Sequence, residues 1–120
     1  MAYKDFTQLS VWRDGLRLLI LVYSVTKNFP NDERFGLVSD MRRSANSFIH
    51  NIAEGFGRFE KRDKTRFYKI SRGSAFEIIS QTHASNALGY ICTDEKEELI
   101  FSYREVIYEL DKLIKAVESR

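Results

Sequence analysis

The side chains best equipped for chemistry in this sequence lie between Arg58 and Arg72. Seven Lys and Arg residues sit there against two acids, interleaved with Phe59, Phe67 and Tyr68. Cations neutralise phosphates and aromatic rings stack on unpaired bases, so this mixture can hold a nucleic acid. The same pattern also fits a solvated loop and helix face, where Glu60 and Asp63 offset part of the charge. The phosphate contacts to weigh are Arg58, Lys61, Arg62, Lys64 and Arg66, with Arg42 and Arg43 from the preceding segment. A weak patch of this kind gains most when several subunits repeat it.

Other chemistry finds less support. The two histidines, His50 and His83, fall on different segments, with Glu54 four residues after the first and Glu77 six residues before the second. Neither spacing matches HExxH or the Glu-x-x-His pairs of bundle di-iron sites. Cys92 is the only cysteine, which excludes an intramolecular disulfide and a cysteine-built zinc cage. Gly55 and Gly57 form GFGR, not a phosphate-cradling GxGxxG. The expectation is a protein that is not an enzyme and uses no metal and no cofactor.

Composition supports a modest, single-domain reading of residues 1–120. With 43% hydrophobic and 30% charged residues, the balance is that of a soluble folded chain. Net charge is +2, too mild to argue for nucleic acid alone, but its distribution is uneven. Residues 93–120 hold eight acids against five bases. The opening MAYKDFTQLS lacks the apolar centre of a signal peptide, and LRLLILVYSV is too short to span a bilayer. A cytoplasmic protein with no membrane segment is expected.

Positioning falls to four helices, at about 9–28, 34–56, 63–90 and 94–118, after a short arm from Met1 to Gln8 in which Phe6 can tuck against the body. In the first helix Leu9, Trp12, Leu16, Leu19, Tyr23 and Thr26 form one apolar seam; Val11, Gly15, Leu18, Val22 and Val25 form a second. Two seams exceed what one corner of a bundle needs, so Val11, Leu18, Val22 and Val25 are expected between subunits. Pro30 ends this helix. The second helix buries Leu37, Met41, Ala45, Phe48, Ile52 and Phe56, and Gly55 and Gly57 are expected to end it in the left-handed conformation. Asp40, Arg43, Ser47, His50, Asn51, Glu54 and Arg58 stripe its other side. That stripe reads either as a solvent face with local ion pairs or as a hydrogen-bonded seam at a subunit interface. Gly73 in the third helix predicts a close helix approach. The fourth helix repeats Leu99 or Ile100, Tyr103, Val106 or Ile107, Leu110, Leu113 or Ile114, and Val117. No strand pattern appears. The fold class is all-α, an antiparallel up-down-up-down four-helix bundle.

Three blocks, LSVWRDGLRLLILVYSVTKNFP, ERFGLVSDMRRSANSFIHNIAEGFGR and FYKISRGSAFEIISQTHASNALGYI, resemble the proteins encoded in intervening sequences of bacterial 23S ribosomal RNA genes. The resemblance runs from about Leu9 to Leu113, and RRSANSFIHNIAEGFGR is its specific part. It implies a left-handed four-helix bundle assembling as a homopentamer. A related branch is the basic pentameric accessory protein of diversity-generating retroelements, which binds its reverse transcriptase and nucleic acid. Arg42, Arg43, Ser47, Asn51, Glu54, Gly55, Arg58, Gly73, Ser74 and Glu77 match the family signature, with no enzymatic role implied. Many relatives carry a proline where this chain has Ile49, so a straighter second helix is expected. The functional expectation is a self-associating, non-enzymatic scaffold that binds RNA, DNA or a nucleic-acid enzyme. The alternative is a protein-only adaptor without a nucleic-acid role.

Overall fold

Burial of one face per helix closes the chain into four helices, α1 (Ser10–Thr26), α2 (Leu37–Phe56), α3 (Lys61–Ala87) and α4 (Thr93–Glu118). The computed structural model describes residues 3–120; Met1 and Ala2 of the expected arm lie outside them. No strand occurs among the described residues. Each helix packs on its neighbours around a ring, α1 on α2, α2 on α3, α3 on α4 and α4 on α1, in a rod of 46 × 24 × 20 Å. Side-chain pairs give the directions. Thr26 meets Arg42 and Tyr23 meets Asn46, so α1 and α2 are antiparallel. Ser85 meets Met41 and Ser71 meets Phe48 across α2 and α3. Arg72 meets Asp111 and Lys69 meets Glu118 across α3 and α4.

Local chemistry sets the turns. Glu33 folds back over Gly36, its carboxylate accepting the Leu37 amide (3.2 Å) at the start of α2 and the Tyr90 hydroxyl (2.9 Å) from the α3–α4 turn. The α3 end is closed by Gly89, whose φ of 82° is the one positive value among the described residues. The Tyr90 amide reaches the Ser85 carbonyl (2.9 Å) and the Gly89 amide that of Asn86 (3.0 Å), the paired bonds of a Schellman stop. At the other end Asp5 caps a short 3-10 turn, Phe6–Gln8, and the Phe6 ring meets Trp12 edge-on at 5.0 Å. Phe6 does tuck against the body.

Three expectations need correction. Val11, Leu18, Val22 and Val25 are buried inside this chain and offer nothing to a second subunit. At Gly15 between them a Cβ would come within 2.8 Å of Phe48 and Ile49 of α2. The other seam of α1 is the unfinished one. Trp12, Leu16 and Leu19 are half-buried, Tyr23 is exposed and the neighbouring Ile20 is 63% exposed. Gly57 closes α2 with φ −77°, an ordinary right-handed value, because three carbonyls of the last turn already accept its amide. Gly73 meets no atom within 4 Å of its would-be Cβ, so no helix of this chain approaches it. The helix bounds also shift. α2 begins at Leu37 because a 3-10 turn occupies Asn31–Glu33, and α3 begins at Lys61, which moves most of the expected connector onto a helix. Ile49 lies in an unbroken α2.

The core holds Met41, Phe48, Ile52, Ile78, Leu99 and Leu110 fully buried, together with Tyr103. The Tyr103 ring stands edge-on to Phe48 at 6.1 Å, yet its buried hydroxyl has no hydrogen-bond partner among the described residues. Burial pushes this phenol far above the usual tyrosine range. The folded chain therefore keeps the proton longer than the unfolded chain, and stability is lost as pH rises past about 10. Burial of Tyr68 acts in the same direction. Tyr103→Phe removes an unpaired buried hydroxyl while keeping the ring, so stability at pH 7 should hold or rise by up to about 1 kcal/mol. Thermal melts from pH 7 to 11 should also show a shallower alkaline loss in the variant than in the parent.

Candidate nucleic-acid interface

The seven candidate cations do not form one surface. Arg58, Lys61, Arg62, Lys64 and Arg66 gather where α2 hands over to α3. Arg42 and Arg43 sit near the opposite end of α2, on the order of 20 Å away at 1.5 Å per helical residue. Arg42 is also engaged: its Nε donates to Thr26 Oγ1 (3.0 Å) and its other arm to the Tyr23 carbonyl (3.3 Å), with the guanidinium 4.4 Å over the Tyr23 ring. It caps the C-terminal turn of α1, where a cation suits both the free carbonyls and the helix dipole. Arg43 stands 3.6 Å from Glu77 on α3.

Within the handover cluster the cations divide by role. Lys64 donates to the Phe56 carbonyl (2.7 Å), satisfying a terminal carbonyl of α2. Burial, with Arg120 as the lesser cause, holds its ammonium below the usual lysine range. Lys61 donates to the Arg120 carbonyl and ties α3 to the end of α4. Arg58 pairs with Glu54 at 3.0 Å and lies 4.7 Å over Phe67, with Arg66 on the same ring at 4.4 Å. Arg62 and Arg66 have no acidic partner among the described residues. They line an open groove of about 730 Å³ with Lys61, Thr65, Lys69, Ile70 and Glu118, the last already paired with Lys69 at 2.9 Å. Phe59 is 98% exposed at the rim of this end.

The polar stripe of α2 is exposed at Asp40, Arg43, His50, Glu54 and Arg58, the last two paired with one another. Its central residues bond within the chain. Ser47 and Ser74 share a hydrogen bond of 2.8 Å, and the Asn51 amide donates to Ser47 Oγ (3.0 Å) and to the Ser47 carbonyl (2.9 Å). Short hydroxyls let α2 and α3 draw together here. One turn on, a Cβ on Gly55 would come within 2.8 Å of the Tyr68 ring and 2.9 Å of the Lys64 carbonyl. Tyr68, expected among the exposed stacking aromatics, is instead buried against Gly55. His50 and His83 stand exposed on α2 and α3, and no three His, Cys, Asp or Glu side chains converge as a metal cage among the described residues. No helix among them is long and apolar enough to cross a membrane.

Residues 7–112 match the family model for the 23S rRNA-intervening sequence protein. No curated protein matches the chain. Among solved structures, the fold is similar to a crystal structure from Bacteroides thetaiotaomicron VPI-5482, described as a protein with unknown function from the S23 ribosomal protein family. The TM-score is 0.78 over 88% of this chain and 98% of that one, at 20% identity, a likeness of fold alone.

The two signature glycines should part company on substitution. Gly55→Ala drives a methyl into Tyr68 and a carbonyl, at a cost of about 1–3 kcal/mol. Gly73→Ala meets open space on a helix and should stabilise by up to about 1 kcal/mol. Urea titrations of both variants measure the contrast.

Proposed function

The chain belongs to the 23S rRNA-intervening sequence protein family, and from that footing we propose a non-enzymatic scaffold that holds the phosphate backbone of RNA or DNA at its α2–α3 end. The observation that carries this reading is the pair Arg62 and Arg66, exposed on an open groove and without acidic partners among the described residues. Charges left unpaired on a surface are available to an outside anion, and counterion release then supplies affinity. Lys61 and Lys69 flank them, and the N-terminal turn of α3 adds a positive helix end. Asp63 lies in that same turn, so one copy is a weak binder.

Repetition compensates. The unfinished apolar seam of α1, from Trp12 through Ile20 to Tyr23, supports contact with further copies, and the family resemblance suggests five. A ring would present the groove several times to one strand, turning weak sites into useful avidity. The α1 seam also favours a protein-only reading, in which assembly is the whole role.

Fluorescence anisotropy with a labelled single-stranded RNA across 50–300 mM salt separates the two. Wild type should lose affinity steeply with salt, and Arg62→Glu with Arg66→Glu should weaken binding at least tenfold and flatten the log–log slope by about two. No affinity at the lowest salt, or an indifferent double variant, sinks the nucleic-acid reading. Separately, Ile20→Glu should lower the assembled mass in light scattering while the helical signal persists. An unchanged mass would remove the α1 seam as the contact.

A further inference from the structure

Beside the phosphate groove lies a second, more enclosed hollow that the cation cluster does not explain. It has a volume of about 400 Å³, within the range of small-molecule sites. Leu9, with Leu113 and Val117 of α4, supplies apolar lining from two parts of the chain. Phe59 projects at the mouth, and Arg58 and Lys64 stand at the rim. Tyr68 forms one wall. Only 2% of its surface is exposed, and its hydroxyl, unlike that of Tyr103, is not sealed away from solvent. The missing side chain at Gly55 is what lets its ring lie there. Burial raises the phenol above the usual tyrosine range, so the hydroxyl keeps a proton to donate.

A hollow with an apolar part, an exposed aromatic in its lining, a phenol donor and cations beside it describe a complement to one chemical class. The occupant carries a planar ring with acceptor atoms on its edge, joined to a phosphate. We infer that this hollow takes one nucleotide, its base stacked under Phe59 with an edge acceptor on the Tyr68 hydroxyl, its phosphate held by Arg58 at the rim. Lys64 keeps two further N–H donors after its bond to the Phe56 carbonyl. The source is either a free nucleotide or an unpaired residue of a bound strand. The strand version rests on the proposed function, because its neighbouring phosphates would continue along Arg62 and Arg66.

The test compares three probes on the full chain at fixed salt: a single-stranded oligonucleotide, an abasic strand of equal length, and AMP alone. The base-bearing strand should bind about tenfold tighter than the abasic one. Tyr68→Phe, which keeps the ring and its packing, should remove roughly five- to tenfold of the base-bearing affinity and leave the abasic strand unchanged. Phe59→Ala, at a fully exposed position, should do likewise without touching the fold. Equal binding of both strands, or a Tyr68→Phe variant that binds like wild type, overturns the nucleotide hollow while leaving the phosphate groove standing. AMP bound and weakened by Tyr68→Phe, with neither strand bound, supports a free-nucleotide site and defeats the groove reading. Failure of all three probes overturns both.

Discussion

The α2–α3 contact is the constraint on which the rest of the structure depends. Here two helices meet across hydroxyls and a bare glycine instead of across large apolar side chains. The Ser47–Ser74 bond, the Ser71 hydroxyl on the Phe48 carbonyl and the Tyr68 ring over Gly55 run along one line. Small polar groups permit a close approach, and each finds its partner, so the desolvation of a buried hydroxyl is offset. α2 also receives α1, whose Gly15 lies against Phe48 and Ile49. α4 then closes the ring through Leu99, Tyr103, Leu110 and Ile114.

That contact also sets the chemistry of one end of the molecule. Drawing the end of α2 against the start of α3 gathers Arg58, Lys61, Arg62, Lys64 and Arg66 into a space where like charges repel. The fold relieves part of that repulsion by giving some of them carbonyls and carboxylates to hold. Lys64 takes the Phe56 carbonyl, Arg58 takes Glu54, and Lys61 takes the Arg120 carbonyl. Arg62 and Arg66 are the remainder, turned to an open groove. The division between structural and available cations follows from distance and partner, and charge count alone does not contain it. Arg42 illustrates the point from the far end: a signature arginine whose donors go to the last turn of α1.

Much of the architecture was legible in the chain because helical periodicity is local. The apolar stripe of α2 from Met41 to Ile52 and the heptads of α4 needed only a repeat near 3.6 residues to be read. The misreadings have a common cause. The two seams of α1 were both visible, but which one faces inward depends on where α2 lies, and Gly15 admits Phe48 only once that helix is in place. Gly73 looked like a close-approach residue because glycine in a helix interior is costly, yet no neighbour in this chain comes near it. The hollow beside Tyr68 drew on Leu9, Gly55, Leu113 and Val117, residues with no mutual signal along the sequence.

By itself, then, the sequence determined four helices, the faces of α2 and α4, a basic stretch beside an acidic fourth helix, and a family likeness concentrated in RRSANSFIHNIAEGFGR. Those properties are set by neighbours within a turn or two, where spacing alone fixes what a side chain faces. Only the tertiary structure decided that Ser47 in the polar stripe of α2 bonds to α3, that Val11, Leu18, Val22 and Val25 belong to the core, and that Arg62 and Arg66 are left without an acidic or carbonyl partner among the described residues. Each of those depends on a partner tens of residues away, whose position is fixed by the packing of whole helices against one another.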